Sequence, residues 1–275
     1  MFNTQAFNTV PFNVADPYLS AVVSVASYND YSFNSSIFRI KWLSDIENFP
    51  SIKFKDYDIA EAHWEGLYSY YFSCKTITIE GILKGDSVSD LEQNLVALKW
   101  ALSKHKQTLK YQRADGVLLE TEASCINLNI PRKHFHLTFM PVEITFVTQD
   151  PFFYSSIQNE TAFTGQTSDI NGSVTYTTGS FSAYPLILLT FTSATSVTSI
   201  EIELNGTAIT INENISASDS VLINCKERDI RINDVGWVDY DGTFPNLDLG
   251  VNDFDVDIDG TFNVDVYVLW QNTYV

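Results

Sequence analysis

The sequence predicts a mainly β protein with one packed α-helix and, in its second half, an antiparallel β-sandwich. Three observations carry this. Apolar and polar residues alternate in short runs through most of the chain. One stretch, SVSDLEQNLVALKWALSKHK, switches to helical spacing. Beyond residue 180, short strands follow one another at turn-sized intervals with no helix between them.

The chain opens MFNTQAFNTVPFNVADPY, where the dipeptide Phe-Asn recurs at Phe2-Asn3, Phe7-Asn8 and Phe12-Asn13. It has no basic n-region, no uninterrupted apolar run and no small-residue cleavage site, so it does not read as a signal peptide. Five residues along a helix or a strand carry a side chain off its starting face. The three aromatics therefore meet different surfaces along an irregular path, and the asparagines suit its turns. Two placements follow: a tail folded back on its own domain, or an arm laid on a neighbouring subunit. In the second, Phe2, Phe7 and Phe12 are the candidate inter-subunit contacts.

From Ser36 to Phe72, runs such as IFRIKWL and SIKFKDYDI read as strands with solvent on one side. KTITIEGILKG, Lys75 to Gly85, is the clearest strand of this half, with Ile77, Ile79 and Ile82 assigned to one face. The period then changes. Leu91, Leu95, Leu98 and Leu102 fall on one helical stripe, and Ser89 with Glu92 forms a capping box. Lys99, Lys104 and Lys106 suit the negative end of the macrodipole. The helix is expected over residues 89–106. After it, TLKYQRADGVLLETEASCINLNI reads as a strand, an Ala-Asp-Gly turn and a strand. RKHFHLTFMPVEITFVTQDPFF reads as a strand pair interrupted by Pro141, tolerated at an edge or a bulge.

Residues 156–180, rich in Ser, Thr, Gly and Asn, show little period and are expected to form a loose connection. This divides the chain into domains 1–155 and 156–275. Beyond it, YPLILLTFT has the apolar run of a buried strand, and SIEIELNGTAITIN is a hairpin with Asn205-Gly206 at a type I′ tip. SVLINC, DIRIND, NDFDVDID and FNVDVYVLW supply further strands. Asp241-Gly242 and Asp259-Gly260 read as the turns between such strands.

Composition bounds the function. The 275 residues are 45% apolar and 14% aromatic, enough for one large or two ordinary domains with real cores. No stretch approaches the roughly 18 apolar residues of a membrane helix, so membrane insertion is not expected. Cys74, Cys125 and Cys225 are odd in number and lack a CxxC spacing, which argues against a disulfide framework or a zinc knuckle and fits synthesis in a reducing cytoplasm. Through Tyr154 there are 13 Lys and Arg against 17 Asp and Glu, and beyond it 3 against 17, giving −4 and −14 of the total −18. So acidic a second half repels phosphate backbones, and nucleic-acid binding is not expected of it.

Several residues invite a chemical reading. DVDIDG, Asp255 to Gly260, matches the front of an EF-hand loop, but the twelfth position is Val266 and neither flank is helical. Alternation accounts for Asp253, Asp255, Asp257 and Asp259 as the solvent face of a strand whose inner face carries Phe254, Val256 and Ile258. His134 and His136 project from one strand face, and His63 could supply a third metal ligand, although nothing requires it. Asp239 and Asp241 could be paired carboxylates of a glycosidase, but Asp-Tyr-Asp-Gly is ordinary turn chemistry. No nucleophile elbow, Cys-His signature, P-loop or dinucleotide fingerprint is present. Enzyme activity, a cofactor and a metal are not expected.

Read in order, KTITIEGILKGDSVSDLEQNLVALKWAL, the LKYQRADG segment, ITFVTQDPFFY and WVDYDGTFPNLDLGVNDFDVDIDGTFNVDVYVLW resemble the distal tail (Dit) family of long-tailed bacteriophages. The resemblance rests on a strand ending I-x-G before a capped helix, on a DPFF close to the N-terminal domain, and on a G-x-FP-x-L-x-x-G-x-N segment before the last strands. It covers roughly residues 75–154 and 236–270. It implies an N-terminal β-sandwich or barrel domain with one packed helix that closes into a ring, and a C-terminal galectin-like β-sandwich outside that ring. It further implies a hexameric hub at the virion tail tip, whose partners are its own copies, the tail tube protein, the tape measure protein, a tail-associated tip or lysin protein and receptor-binding proteins. No catalytic residues are implied. The alternative is a receptor- or carbohydrate-binding tail component using aromatics such as Trp237 and Tyr240. A tail-associated hydrolase is a third possibility.

Overall fold

The computed structural model describes residues 24–275 apart from 34, 45, 47, 59–64, 114, 133–136 and 237. Phe2, Phe7 and Phe12 lie outside the described residues, as do His63, His134, His136 and Trp237. In chain order the first strands are β1 (Ser24–Tyr28), β2 (Tyr31–Ser32), β3 (Phe38–Ser44), β4 (Ile52–Asp58), β5 (Glu65–Phe72) and β6 (Thr76–Lys84). Helix α1 (Val88–Leu102) follows, then β7 (Gln107–Gln112), β8 (Leu118–Asn129), β9 (Phe139–Thr148), β10 (Phe153–Gln166) and β11 (Ile170–Tyr176). The last six are β12 (Leu186–Leu204), β13 (Thr207–Ile211), β14 (Ser220–Asn224), β15 (Asp229–Ile232), β16 (Tyr240–Gly242) and β17 (Gly250–Tyr274). As the patterning predicts, the protein is mainly β, with a single helix among the described residues. The strands and helix form two compact units: residues up to 46 with Lys75–Gln149, and Glu47–Cys74 with Asp150–Val275.

The first unit is one antiparallel sheet in the order β2-β1-β7-β8-β9-β6-β3. Along β6, Ile77, Ile79 and Leu83 are buried. Ile82 turns to the other face, because three residues from Ile79 is an odd step in a period of two. The core-facing position between them is Gly81, where a Cβ would sit 2.5 Å from the Phe38 ring. Phe38 in turn packs edge-on to Phe33 at 5.3 Å.

The leucine stripe docks as expected: Leu91, Leu95, Leu98 and Leu102 are buried, with Ala101. Both helix ends differ from the sequence reading. The N-cap is Ser87, not Ser89. Its Oγ accepts from the Asp90 N–H at 3.1 Å and donates to the Asp90 carboxylate at 2.9 Å. Each serine has an acid three residues on, and the first takes the role. At the other end the helix stops at Leu102, so of the three lysines only Lys99 lies in its last turn. Tyr28 Oη donates to Lys104 O at 2.6 Å and Asn29 Nδ2 to Ala101 O at 3.3 Å, serving carbonyls a helix end leaves open.

Pro141 lies within the single strand β9 rather than between two strands. Thr148 N bonds Lys75 O and Gly85 N bonds Thr138 O, so counting by twos puts Pro141 and Ile82 in a non-hydrogen-bonded pair. Its nitrogen faces the β8 side, where pairing has already ended at Asn129 opposite Glu143. No ladder bond is lost.

In the second unit, β12 and β17 are long, bent and paired with each other along most of their length. Leu186–Phe191 and Val264–Leu269 are the centre of one sheet, ordered β15-β14-β12-β17-β10. Ser199–Leu204 and Phe254–Asp259 are the centre of a second, ordered β16-β13-β12-β17-β11. The switch occurs where the register breaks between Phe191 and Ser199. There Ser196 has φ 57° and Gly260 φ 136°, and a Cβ on Gly260 would lie 2.8 Å from Ser196 O. Asp259-Gly260 is therefore a bend inside one strand, not a turn between two. Buried residues of both sheets, from Ile170 to Trp270, form one cluster, which makes the pair a sandwich.

The expected loose connection is instead β10 and β11, each paired with β17. The predicted Asn205-Gly206 hairpin is present, with φ of 51° and 77° at its tip. The same unit carries β4 and β5, a two-stranded ribbon pairing Ile52 with Phe72 through Asp58 with Glu65. At its base the Phe72 ring lies 5.5 Å from Phe49, 5.4 Å from Phe152 and 5.6 Å from Phe181.

Candidate functional site

Among the described residues, the acids that invited a chemical reading lie on the surface of the second unit. Along β17, Asp253, Asp257 and Asp259 are exposed and Asp255 is half-buried, while Phe254, Val256 and Ile258 point into the core. Glu201 stands opposite Asp257 and Glu203 opposite Asp255, with Asp169 beside them around a hollow of about 210 Å³. The Asp257 carboxyl is held above its ordinary range, first by a hydrogen bond shared with Asp169 and then by repulsion from Asp169 and Glu201. Among the described residues no three His, Cys, Asp or Glu are grouped to hold a metal. Asp239 and Asp241 are exposed beside β16, and Asn212 Nδ2 donates to Asp241 at 3.2 Å. Tyr240 packs edge-on to Phe244 at 5.3 Å. Cys225 is sealed in the sandwich core, where burial pushes its thiol up to about 12. Lys75 is buried in the first unit, where desolvation brings its ammonium down to about 8 and Nζ donates to Ile46 O at 3.3 Å.

The motifs of the family resemblance prove to be structural devices. In GTFPNLDLGVN, Gly242 (φ 101°) closes against Ala208 O, and buried Leu247 exchanges backbone bonds with Ala183 at 2.8 and 2.9 Å. Asn252 is 1% exposed and fully used: Nδ2 donates to Asp248 O at 2.8 Å and Val174 O at 3.2 Å. Its Oδ1 accepts from Asp248 N and from Asn205 Nδ2, both at 2.7 Å. One side chain thus ties the loop before β17 to β11 and to the Asn205 hairpin.

In DPFFY, Asp150 accepts from Phe152 N at 3.0 Å and from the Tyr154 hydroxyl, and Lys226 Nζ lies 3.3 Å from its carboxylate. The same ammonium stands 3.7 Å from the Tyr154 ring centroid. Burial raises the Tyr154 pKa, and the Asp150 carboxylate raises it further, so the phenol stays a donor. In the strand before the helix, Gly81 admits Phe38, and Gly85 admits the first turn of α1, where a Cβ would lie 2.4 Å from Leu91 N.

The first unit also carries a groove. Of about 950 Å³, it runs between β3, the end of β6, the start of α1 and Phe139. Ile37, Ile40, Ile82 and Phe139 supply apolar lining, and Arg39, Lys41, Lys84, Asp86 and Asp90 supply charges of both signs. Ile37 and Phe139 are 41% and 43% exposed. Sequence reasoning placed Ile82 on the same face as Ile77 and Ile79 and missed this surface. The adjacent pair Ile82-Leu83 was the available signal, since two large apolar neighbours on a strand must face opposite ways.

Residues 178–274 match the family model described as the siphovirus-type tail component, C-terminal domain. Over the whole chain, the structure is similar to the crystal structure of the Dit protein of phage SPP1, described as a paradigm of the hub adsorption apparatus in phages infecting Gram-positive bacteria. The TM-score is 0.66 at 15% identity, covering 92% of this chain and 100% of that one. The baseplate of phage P2 in its activated conformation with calcium gives a TM-score of 0.47 at 10% identity, over 87% of this chain and 92% of that one. No curated protein matches. The sequence match is thus to the siphovirus-type tail component over residues 178–274, and the fold of nearly the whole chain is similar to that of the SPP1 Dit protein.

Proposed function

We propose that this protein is the distal tail hub of its phage: copies close into a ring, six in number, joining the tail tube to the tip and host-adsorption proteins. The observation that carries the reading is the agreement of fold with the SPP1 Dit protein along nearly the whole chain. Its partners are then its own copies, the tail tube protein, the tape measure protein, a tail-associated tip or lysin protein and receptor-binding proteins. The chain is made in the host cytoplasm and resides at the virion tail tip. Its role is structural, without turnover.

Charge supports a division of labour. Through Tyr154 the balance is −4, with both signs available for a seam, whereas the −14 beyond it repels close copies and favours a peripheral position. A closed ring needs one surface of each copy to meet a different surface of the next. Phe2, Phe7 and Phe12 are assigned to that seam. Mass photometry of the purified protein tests the reading: a species of six chains is expected, and a trimer would favour a receptor-binding component instead. Immunogold labelling of virions should decorate the distal end of the tail; label elsewhere rejects the hub. Deleting residues 1–15 should weaken the ring more than it lowers subunit stability.

A further inference from the structure

We infer that the hairpin tip at Asn205-Gly206 is a latent deamidation site, held shut by Asn252. Asn-Gly is the dipeptide most prone to this reaction, because glycine puts no side chain in the way. The sequence holds two, Asn171-Gly172 in β11 and Asn205-Gly206 between β12 and β13. At the second, Asn205 is exposed with φ 51°, and nothing lies within 4 Å of where a Cβ on Gly206 would be. Composition and exposure alone would let the reaction proceed. In it, the Gly206 main-chain nitrogen attacks Asn205 Cγ. The new C–N bond closes a succinimide ring, the Cγ–Nδ2 bond breaks, and the Gly206 amide proton leaves with Nδ2 as ammonia. Water then opens the ring to aspartate or isoaspartate.

The geometry opposes that attack at both heavy atoms of the carboxamide. Asn205 Nδ2 donates to Asn252 Oδ1 at 2.7 Å, and Asn205 Oδ1 accepts from Asp253 N at 3.0 Å. The cause is local. Asn205 N donates to Asp253 O at 3.1 Å, one half of the exchange a ladder pair makes. At φ 51° the strand ends, and the Asn205 side-chain oxygen, in place of its carbonyl, accepts from the Asp253 N–H. Asn252 is 1% exposed, and its own Nδ2 is tied to Asp248 O and Val174 O, so the oxygen that grips Asn205 is fixed. Turning Cγ towards Gly206 N breaks both bonds to the carboxamide. Two bonds of ordinary strength amount to about tenfold or more in rate. An aspartate at this position would have no donor for Asn252 Oδ1 and would add a carboxylate beside Asp253. Deamidation at the tip would therefore loosen the loop that Asn252 ties to β11.

The test is peptide mapping by mass spectrometry of the full-length protein after incubation in mildly alkaline buffer, folded and in urea, with Asn252→Ala beside the natural sequence. In the folded natural sequence, Asn205 should deamidate about tenfold or more slowly than in urea. Equal rates overturn the inference. In Asn252→Ala, Asn205 should accelerate by about tenfold or more while Asn171 keeps its folded rate. An unchanged Asn205 in that folded variant overturns the inference, because the turn alone then protects. Asn171 reports unfolding: if both sites accelerate together, the variant has lost its sandwich and the decision passes to the natural sequence. There, hydrogen exchange at the Asn205 side-chain amide decides. Exchange slower than at exposed asparagines by about tenfold or more supports the clasp, and exchange at their rate overturns it.

Discussion

In the sandwich, β12 and β17 each serve two sheets, and the buried side chains of both sheets meet in one cluster. In the helix-bearing unit, α1 covers part of a single sheet, and Ile37, Trp42, Val96, Trp100, Ile126 and Phe139 stay exposed. Charge divides along the same units: residues up to 46 with Lys75–Gln149 hold 11 Lys and Arg against 11 Asp and Glu, and the rest of the chain 5 against 23. Large apolar side chains are exposed in the second unit too, Ile157, Val235 and Val251 among them, so charge rather than apolar exposure separates the two. The second unit is coated with carboxylates even where two strands must set them face to face, as Glu201 and Asp257 are. The contrast teaches that two units built on antiparallel strands can differ chiefly in charge, one carrying both signs and the other dominated by carboxylates.

The contrast is broken most sharply from inside the sandwich. Phe254 is fully buried and stacks on Phe163 at 5.4 Å. Phe254→Ala should cost about 3–5 kcal/mol in chemical denaturation. A loss under about 1 kcal/mol would mean that the two sheets do not share a core. In the helix-bearing unit, Leu98→Ala should cost about 2–5 kcal/mol. We propose that the units unfold separately, so each of these variants should shift one calorimetric transition and spare the other.

Asn252→Ala removes a buried side chain that serves four groups, and a loss of about 1–3 kcal/mol is expected for each group left unsatisfied, partly relieved by water. Ser87→Ala should cost about 1 kcal/mol, read as a small fall in melting temperature, while Ser89→Ala should be nearly silent. The smallest effect has the opposite sign. The Asp257 pKa is raised in the folded protein, so its ionisation opposes folding at any pH above that raised value. Asp257→Asn should therefore stabilise the protein at neutral pH. The gain should fade as pH drops through the raised value and vanish below the ordinary carboxylate range. A gain that persists in acid would assign the effect to something other than charge.

Much of the fold was legible because it rests on periodicity. The leucine stripe, the alternating acids of β17 and the Asn205-Gly206 tip are all where local pattern places them. The misses have physical reasons. In β11 a glycine interrupts the strand text, yet the Phe163 ring fills the space beside Gly172, at 2.5 Å from where a Cβ would be. In β10 the exposed positions include Ser156, Gln158, Thr164 and Gly165, which sequence composition cannot tell from a loop. A bend within a strand and a turn between strands both call for Asp-Gly, so Asp259-Gly260 was ambiguous by itself. The groove was hidden for another reason: its walls come from segments as far apart as Ile37 and Phe139, and only the register of β3, β6 and β9 brings them together.

The central position of β17 in both sheets also orders events in time. Phe153 pairs with Tyr274, and Ile170 with Val256, so β10 and β11 leave the ribosome long before these partners exist. The hairpins β12–β13 and β14–β15 can form early, but neither half of the sandwich acquires its middle until β17 has been synthesised. Such sequence-distant pairing makes for slow folding and exposed strand edges in the interim. Translation thus holds the sandwich open until its final stretch, and a chain stalled short of β17 leaves the edges of β10, β11 and β12 unpaired.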